Sequence, residues 1–508
     1  MDSPGTAPHE LRATPPAARF AARLAALFLT SILIGCAGEE SSDGSSDDPR
    51  NSPNVIFVVC DTLRADRMSL YGHFRPTTPH LDELAKTGTT VEHASAMSSW
   101  TLASMSMLMT GEIKARADVA VLTTHVHVAE GFQRAGFHTG AVIANPVLDE
   151  KLHYHRGLDF FDIERTPAMS QPAGQIIGKG VDWIDSLPED GRPFFLWLHP
   201  ADPHYPWKAK DSERFPEDPE DLARQGATSS LAWGRGAFPE PAAPIPPPET
   251  LDPDAWERIA HSRNLYDAEV AQFDDAMGRL VADLKERGLF ENTVIAVTSD
   301  HGEGLWDRLH LPDSPEADKR VYFPSLYRRH GLMLHEEQTH VPLFFHGPGV
   351  PRGERFRQWV PHVDVVPTLY ALGRVPLPKD LPGRALFEDE GSEDRGPIIS
   401  VCSRSYSVTV DERFRAHFPR KYRLRKMDIP VELYDLQRDP GERVVLDNPS
   451  KVAELEEILE EWRTRYSPND PDQALDPEVW AKLQALGYGG EIEFDVTPKP
   501  KKKGSAGQ

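Results

Sequence analysis

The chain has 508 residues, long enough to bury a large core as one big domain with a smaller companion. Its 79 Asp and Glu outweigh 56 Lys and Arg, and the formal charge is −23. With acid spread along the chain, nucleic acid is excluded as the expected partner, because a phosphate backbone needs a basic face.

Residues 1–36 read as a targeting segment. Arg12, Arg19 and Arg23 precede an apolar run, Leu24 to Ile34, that is too short to span a bilayer and has the length of a signal-peptide core. The run ends Leu33-Ile34-Gly35-Cys36, which resembles a bacterial lipobox, whose cysteine is acylated and becomes the mature amino terminus. An ordinary signal peptide with an incidental cysteine is the alternative. Acyl chains on Cys36 would anchor the protein to a membrane without spanning it, which implies a lipoprotein of the bacterial cell envelope, periplasmic or surface-facing. Residues 37–53, rich in Ser, Asp and Glu, would then be a flexible tether. Cys60 and Cys402 remain; two cysteines make no disulfide framework, although a single bridge between them stays open.

Asn54 to Cys60 is an apolar, β-branched run, the mark of a strand buried on both faces of a largely parallel sheet. Asp61 falls at its carboxyl end, where α/β sheets collect ligands; it reads as a metal ligand or as a turn aspartate. A short helix follows from Pro79, with Leu81 and Leu84 inward and Gly88 after its end. Ser98 to Gly111 is a polar entry into an apolar helix, with Thr101 at or near its start, as an anion-facing residue, an N-cap, or both. A helix ending near Gly136 leads to a strand over His138–Ile143, and Pro193–Leu198 is a further buried strand. That strand runs into a loop carrying Asp202 and His204. Residues 208–256, rich in Pro, Gly and acid, read as a surface excursion. An amphipathic helix carries Val270, Phe273, Met277 and Leu280 on one face. Strand 292–298 then delivers Asp300 and His301. Residues 305–329 read as a lid, followed by His330, a strand over 341–345 and a helix over 360–370. A smaller unit spans 396–490, with a helix from about Ser450, and 491–508 form a basic, disordered tail.

Asp61, the pair Asp202 and His204, and the pair Asp300 and His301 thus sit at successive strand ends, with Thr101 at a helix start. Side chains of these types on the tips of one sheet can converge on a divalent cation. One Asp-His pair is weak evidence. Several at successive strand ends point to a site.

The segments PNVIFVVCDTLRADRMSLYGH, WTLASMSMLMTG, DPHYPW, TVIAVTSDHGEG and HEEQTHVPLFFHGPGV resemble, in the same order, the sulfatase family of the alkaline phosphatase superfamily. VELYDLQRDPGE and LQALGY resemble its carboxyl-terminal subdomain, so the likeness runs from Pro53 to Gly487. It implies an α/β fold with a large, mostly parallel sheet sandwiched by helices over 54–375, and a C-terminal α+β subdomain over 396–490. It implies metal ligation by Asp61, Asp300 and His301, with Thr101 at the nucleophile position. His204 and His330 match histidines that contact the ester anion or its leaving group.

The departures matter as much. Sulfatases proper carry C-x-P-x-R or S-x-P-x-R at the nucleophile and oxidise its first residue to formylglycine. Here the stretch is Thr101-Leu-Ala-Ser-Met105, and a secondary alcohol cannot become an aldehyde, so no formylglycine is expected. Thr62 replaces a second metal-binding aspartate, and the region around Asn145 replaces a lysine and histidine. His301 stands where calcium-binding members carry Asn, which favours zinc or manganese, with calcium the alternative. A second metal would need Asp202, His204 and His330 to converge. These changes shift the expected reaction toward phosphoester hydrolysis through Thr101, on a small-molecule, glycan or lipid ester. A phosphoethanolamine-type transferase and an inactive binding lipoprotein are the alternatives.

Overall fold

Asn54–Cys60 (β1) is buried along its whole length, as a branched and aromatic strand must be when helices cover both faces of its sheet. The computed structural model describes residues 48–114, 126–165, 171–209, 211–215, 253–307, 328–388, 395–419, 430–442 and 444–466. On one side β1 runs parallel to Phe194–His199 (β5), and from there the sheet continues in parallel through His138–Ile143 (β3) to Phe160–Ile163 (β4). On its other side β1 is parallel to Thr293–Ser299 (β6). Beyond β6 lie His340–His346 (β9), antiparallel to it, and Thr89–Ser95 (β2), antiparallel to β9. Glu354–Phe356 (β10) and Val360–Pro361 (β11) finish that edge in parallel with β2. The product is a nine-stranded, mostly parallel sheet with β1 near its centre.

The pleat of β1 divides the core in two, because alternate side chains of a strand point to opposite faces. Val55, Phe57 and Val59 pack with Thr101–Leu108 (α2), Val128–Arg134 (α3) and the helix Val365–Leu372 (α7). Ile56, Val58 and Cys60 pack with Pro79–Ala85 (α1), Ala173–Asp185 (α4) and Pro253–Glu286 (α5). A one-turn helix, Glu336–Thr339 (α6), leads into β9. Gly304–Leu305 (β7) and Arg328–Arg329 (β8) form a small antiparallel pair close to the site. Toward the carboxyl end, Ile398–Val401, Ser405–Val410, Phe414–Pro419 and Glu432–Asp435 (β12 to β15) build a separate antiparallel sheet. Helix Pro449–Tyr466 (α8) covers it through Leu455 and Leu459.

The sequence reading found the strands around β1 and missed β2. All seven residues of β2 are buried, yet Glu92 and His93 interrupt its apolar pattern; Arg355 Nε donates to Glu92 at 2.9 Å and makes that burial tolerable. The expected helix over 360–370 is shorter, since β11 and a 3-10 turn, His362–Asp364, precede α7. Cys36 and the signal segment, Trp233, His310, most of the excursion and lid, and everything after Tyr466 lie outside the described residues. Of the expected tether, 37–47 also lie outside them, whereas Asp48 to Pro53 are part of the fold: Arg374 Nη1 donates to the Asn51 carbonyl at 2.8 Å. Cys60 and Cys402 are buried and not bridged to each other. Among the described residues no helix is long and apolar enough to cross a membrane.

Candidate metal centre and nucleophile

Asp61 directly follows β1 and Asp300 directly follows β6. The two strands are parallel neighbours, with Cys60 opposite Ser299, so the register alone delivers both carboxylates side by side. Each carboxylate has one oxygen committed. Asp300 Oδ1 accepts the backbone N–H groups of Thr62 at 3.1 Å and of His301 at 2.8 Å. The Thr62 amide is aimed there by a left-handed backbone, φ +59°. Asp61 Oδ2 accepts from Asn145 Nδ2 at 2.7 Å. The remaining oxygens, Asp61 Oδ1 and Asp300 Oδ2, are buried without a hydrogen-bond partner.

His301 is positioned by its own neighbour: Nδ1 donates to the Gly302 carbonyl at 2.9 Å. That leaves Nε2 as a lone pair, 3.2 Å from Asp300 Oδ2 and 3.2 Å from Thr101 Oγ1. A second-shell bond of this kind fixes the tautomer and ring plane of a metal-binding histidine. One ligand atom each from Asp61, Asp300 and His301 lie within 4.8 Å of one another. Two unmatched carboxylate oxygens and an imidazole lone pair facing one space fit a divalent cation, and they mix oxygen and nitrogen donors as zinc or manganese accept.

Thr101 is the first residue of α2; the N-cap is Trp100, without a side-chain cap bond. The capping role open to Thr101 in the sequence is therefore not the one it takes, and its hydroxyl faces His301 instead. All eight residues of α2 are buried. Ser104 Oγ donates to the Asp300 carbonyl at 2.5 Å, tying the helix to the loop that carries the ligands. Free N–H groups at the start of this helix offer anion binding beside the hydroxyl.

His330 and His204 complete the surroundings. Ring centroids of His301 and His330 are 4.4 Å apart, and those of His330 and His204 are 5.2 Å apart. Glu303, fully buried, holds His330 Nδ1 at 3.3 Å from each carboxylate oxygen. Asp202 does not join them. Its carboxylate accepts the Ala173 N–H at the start of α4 and Gln272 Nε2, both at 2.5 Å, so Asp202, His204 and His330 do not form a second ligand set.

Burial pushes Asp61 up, but the imidazoles of His204, His199 and His301 outweigh it and hold the carboxyl below its ordinary range. Asp300 shifts the other way, raised by burial and then by the charge on Asp61. For Glu303 burial is opposed by His330, and the carboxyl ends below its usual value.

Sequence reasoning passed over His199 and Glu303 and counted Asn145 only as a departure. His199 ends β5 next to β1, and its Nε2 is 3.5 Å from Asp61 Oδ2. The usable signal was position: His199 is the last residue of a strand flanking β1, while the eye goes to the loop beyond it.

The family model described as Sulfatase matches residues 53–375. Arylsulfatase K of Gallus gallus is 29% identical over 224 residues, 40% of this chain and 37% of that protein. N-acetylglucosamine-6-O-sulfatase of Bacteroides thetaiotaomicron is 22% identical over 549 residues, covering 89% of this chain and 91% of the relative. Among solved structures, one in complex with its substrate D-glucosamine-2-N,6-O-disulfate superposes with a TM-score of 0.62 at 20% identity, over 84% of this chain and 100% of the other. The phosphonate monoester hydrolase of Agrobacterium radiobacter gives 0.58 at 18% identity, over 83% and 97%. At such identities the superpositions bear on the fold alone.

Proposed function

The chain belongs to the sulfatase family, and from that membership we propose that it is a metal-dependent hydrolase cleaving a phosphate ester with Thr101 as nucleophile. One observation carries the reading: the Thr101 hydroxyl lies 3.2 Å from His301 Nε2, at a helix start, beside two carboxylates with unmatched oxygens. A divalent cation held by Asp61, Asp300 and His301 would supply Lewis acidity, easing loss of the Thr101 proton and neutralising the ester anion. Thr101 Oγ1 then attacks phosphorus in line: the bond to threonine forms, the ester P–O bond breaks, and its electron pair leaves with the alcohol. The N–H groups opening α2 and the imidazole of His330, held by Glu303, steady the charge on the transferring group. His204, less buried than the others, is suited to protonate the departing oxygen. Water attacking the phosphothreonine from the opposite side completes hydrolysis.

Phosphate is preferred to sulfate because threonine cannot give the aldehyde hydrate used by formylglycine sulfatases. Sulfate ester cleavage is the second reading, favoured by the glycan sulfatases among the relatives. The Leu33–Cys36 ending supports a further part of the proposal, anchoring of the protein in the bacterial envelope by acylated Cys36 and action there on a small-molecule, glycan or lipid ester.

Wild type and Thr101→Ala would be assayed on aryl phosphates, phosphodiesters and aryl sulfates, with acid-quenched protein analysed for phosphate on Thr101. The expected result is turnover of a phosphate ester that falls about 10³-fold or more in the variant, together with a trapped phosphothreonine. Equal turnover in the variant sinks the nucleophile assignment. Thr101-dependent turnover of sulfates alone moves the conclusion to the second reading, and transfer of phosphate to an added alcohol in place of water makes the enzyme a transferase.

A further inference from the structure

Two of the residues that break the apolar pattern of β2 and β9 meet a third at the start of α6. His93 lies on β2, Glu336 opens α6 and His340 opens β9. All three are more than nine-tenths buried, at 8%, 2% and 3% exposed. His93 Nε2 is 3.6 Å from Glu336 Oε1, and His340 Nδ1 is 3.6 Å from Glu336 Oε2. Among the described residues, neither of those ring nitrogens nor either Glu336 oxygen has a hydrogen-bond partner. Buried polar atoms are seldom left so, and four in one place ask for an occupant.

We propose that His93, Glu336 and His340 form a second divalent-cation site of the zinc class, sharing no residue with the Asp61, Asp300 and His301 centre. The geometry of each ring supports it. His340 Nε2 donates to the Glu92 carbonyl at 3.2 Å, which fixes the tautomer and leaves Nδ1 as a lone pair toward Glu336. His93 is clamped between two parallel rings, His340 at 4.1 Å and Trp359 at 3.5 Å, so its Nε2 has little freedom to turn elsewhere. Zinc with bonds of about 2.0–2.2 Å holds its ligand atoms roughly 3.3 Å apart, close to the separations found here. One ligand atom from each residue lies within 4.8 Å of the other two.

The competing occupant is Arg415 of β14, whose Nη1 is 2.5 Å from Glu336 Oε1 and 3.8 Å from Glu442 Oε1. That ion pair accounts for one oxygen and leaves Oε2 and both imidazoles unexplained. A carboxylate shared between a guanidinium on one oxygen and a cation on the other satisfies all of them. The consequence is structural: a cation there would tie β2 to β9 and, through Glu336, to the C-terminal sheet. It would also stiffen α6, where the Gln338 carbonyl accepts the N–H of Gly302, next to His301.

The test uses the full chain. Crystals of wild type grown with Zn²⁺ should show anomalous density between His93, Glu336 and His340 in addition to any at Asp61 and Asp300. In solution, dialysed protein should retain two equivalents of zinc, falling to one in His93→Gln and in His340→Gln. In an Asp61→Asn/Asp300→Asn variant that folds by circular dichroism, one equivalent should remain, and Co²⁺ added in its place should give the visible absorption of a tetrahedral nitrogen and oxygen site. Anomalous density confined to the Asp61 and Asp300 region overturns the proposal, whatever the variants do. So does unchanged zinc content in folded His340→Gln.

Discussion

The Asp61 carboxylate meets Asn145 on one oxygen and leaves the other bare. Asn145 is itself fixed, since its Oδ1 accepts the Val147 N–H at 3.0 Å. An amide held this way orients the ligand without touching the cation, and loss of such an orienting group typically weakens metal binding about 10–100-fold. Asn145→Ala should therefore lower cation affinity by that order in competition with a chromophoric chelator. Unchanged affinity would show that Asp61 is aimed by the strand alone. The residues best read from sequence were those whose place follows from a strand ending: Asp61, Asp300, His301. Glu303 and Asn145 stayed hidden because their importance lies in a hydrogen bond to another side chain, which periodicity cannot reveal.

Elements bring their own sensitivities to pH. His127 caps α3: its Nδ1 accepts the Ala129 N–H at 3.2 Å, and Glu130 closes the capping box. Burial, and then the charges of Arg156 and His155, depress this imidazole to about 3 from an ordinary 6.5. Between those values the unfolded chain binds a proton that the folded chain refuses. Stability from this group is complete above pH 6.5 and drains away as pH falls toward 3. At pH 5 the loss should be about 2 kcal/mol. His127→Asn keeps a capping side chain without the titration, so the gap between urea unfolding free energies at pH 7 and pH 5 should shrink by that amount. A gap as wide as in wild type would remove His127 from the acid response. The helix over 128–134 was legible from its apolar spacing, while β2 was not, because Glu92 is masked only by an arginine 263 residues away.

At the scale of the molecule, Asp267 of α5 binds the segment after β1 to the long helix. It is fully buried, 3.4 Å from Arg67 Nε, 2.8 Å from Arg75 Nη1 and 3.1 Å from His73 Nε2. Burial raises its pKa, but Arg67, His73 and Arg75 overcome that and hold it ionised. Asp267→Ala would leave two buried guanidinium groups without that carboxylate, at a cost of about 3–5 kcal/mol, visible as a lower urea midpoint. A shift under about 1 kcal/mol would mean the arginines find other partners or water. The large sheet was legible in outline because its central strands are continuous apolar runs. Strand order was not, since parallel partners such as β1 and β6 lie far apart in the chain and nothing local encodes their pairing. Between the carboxylates delivered by those two strands stand 238 intervening residues, and the Thr62 amide reaches across the same gap to Asp300. A growing polypeptide owns half a binding cage until its sixth strand has been made and threaded beside the first. Capture of the ion is thus among the last events of maturation, and its identity is chosen by the medium in which folding finishes.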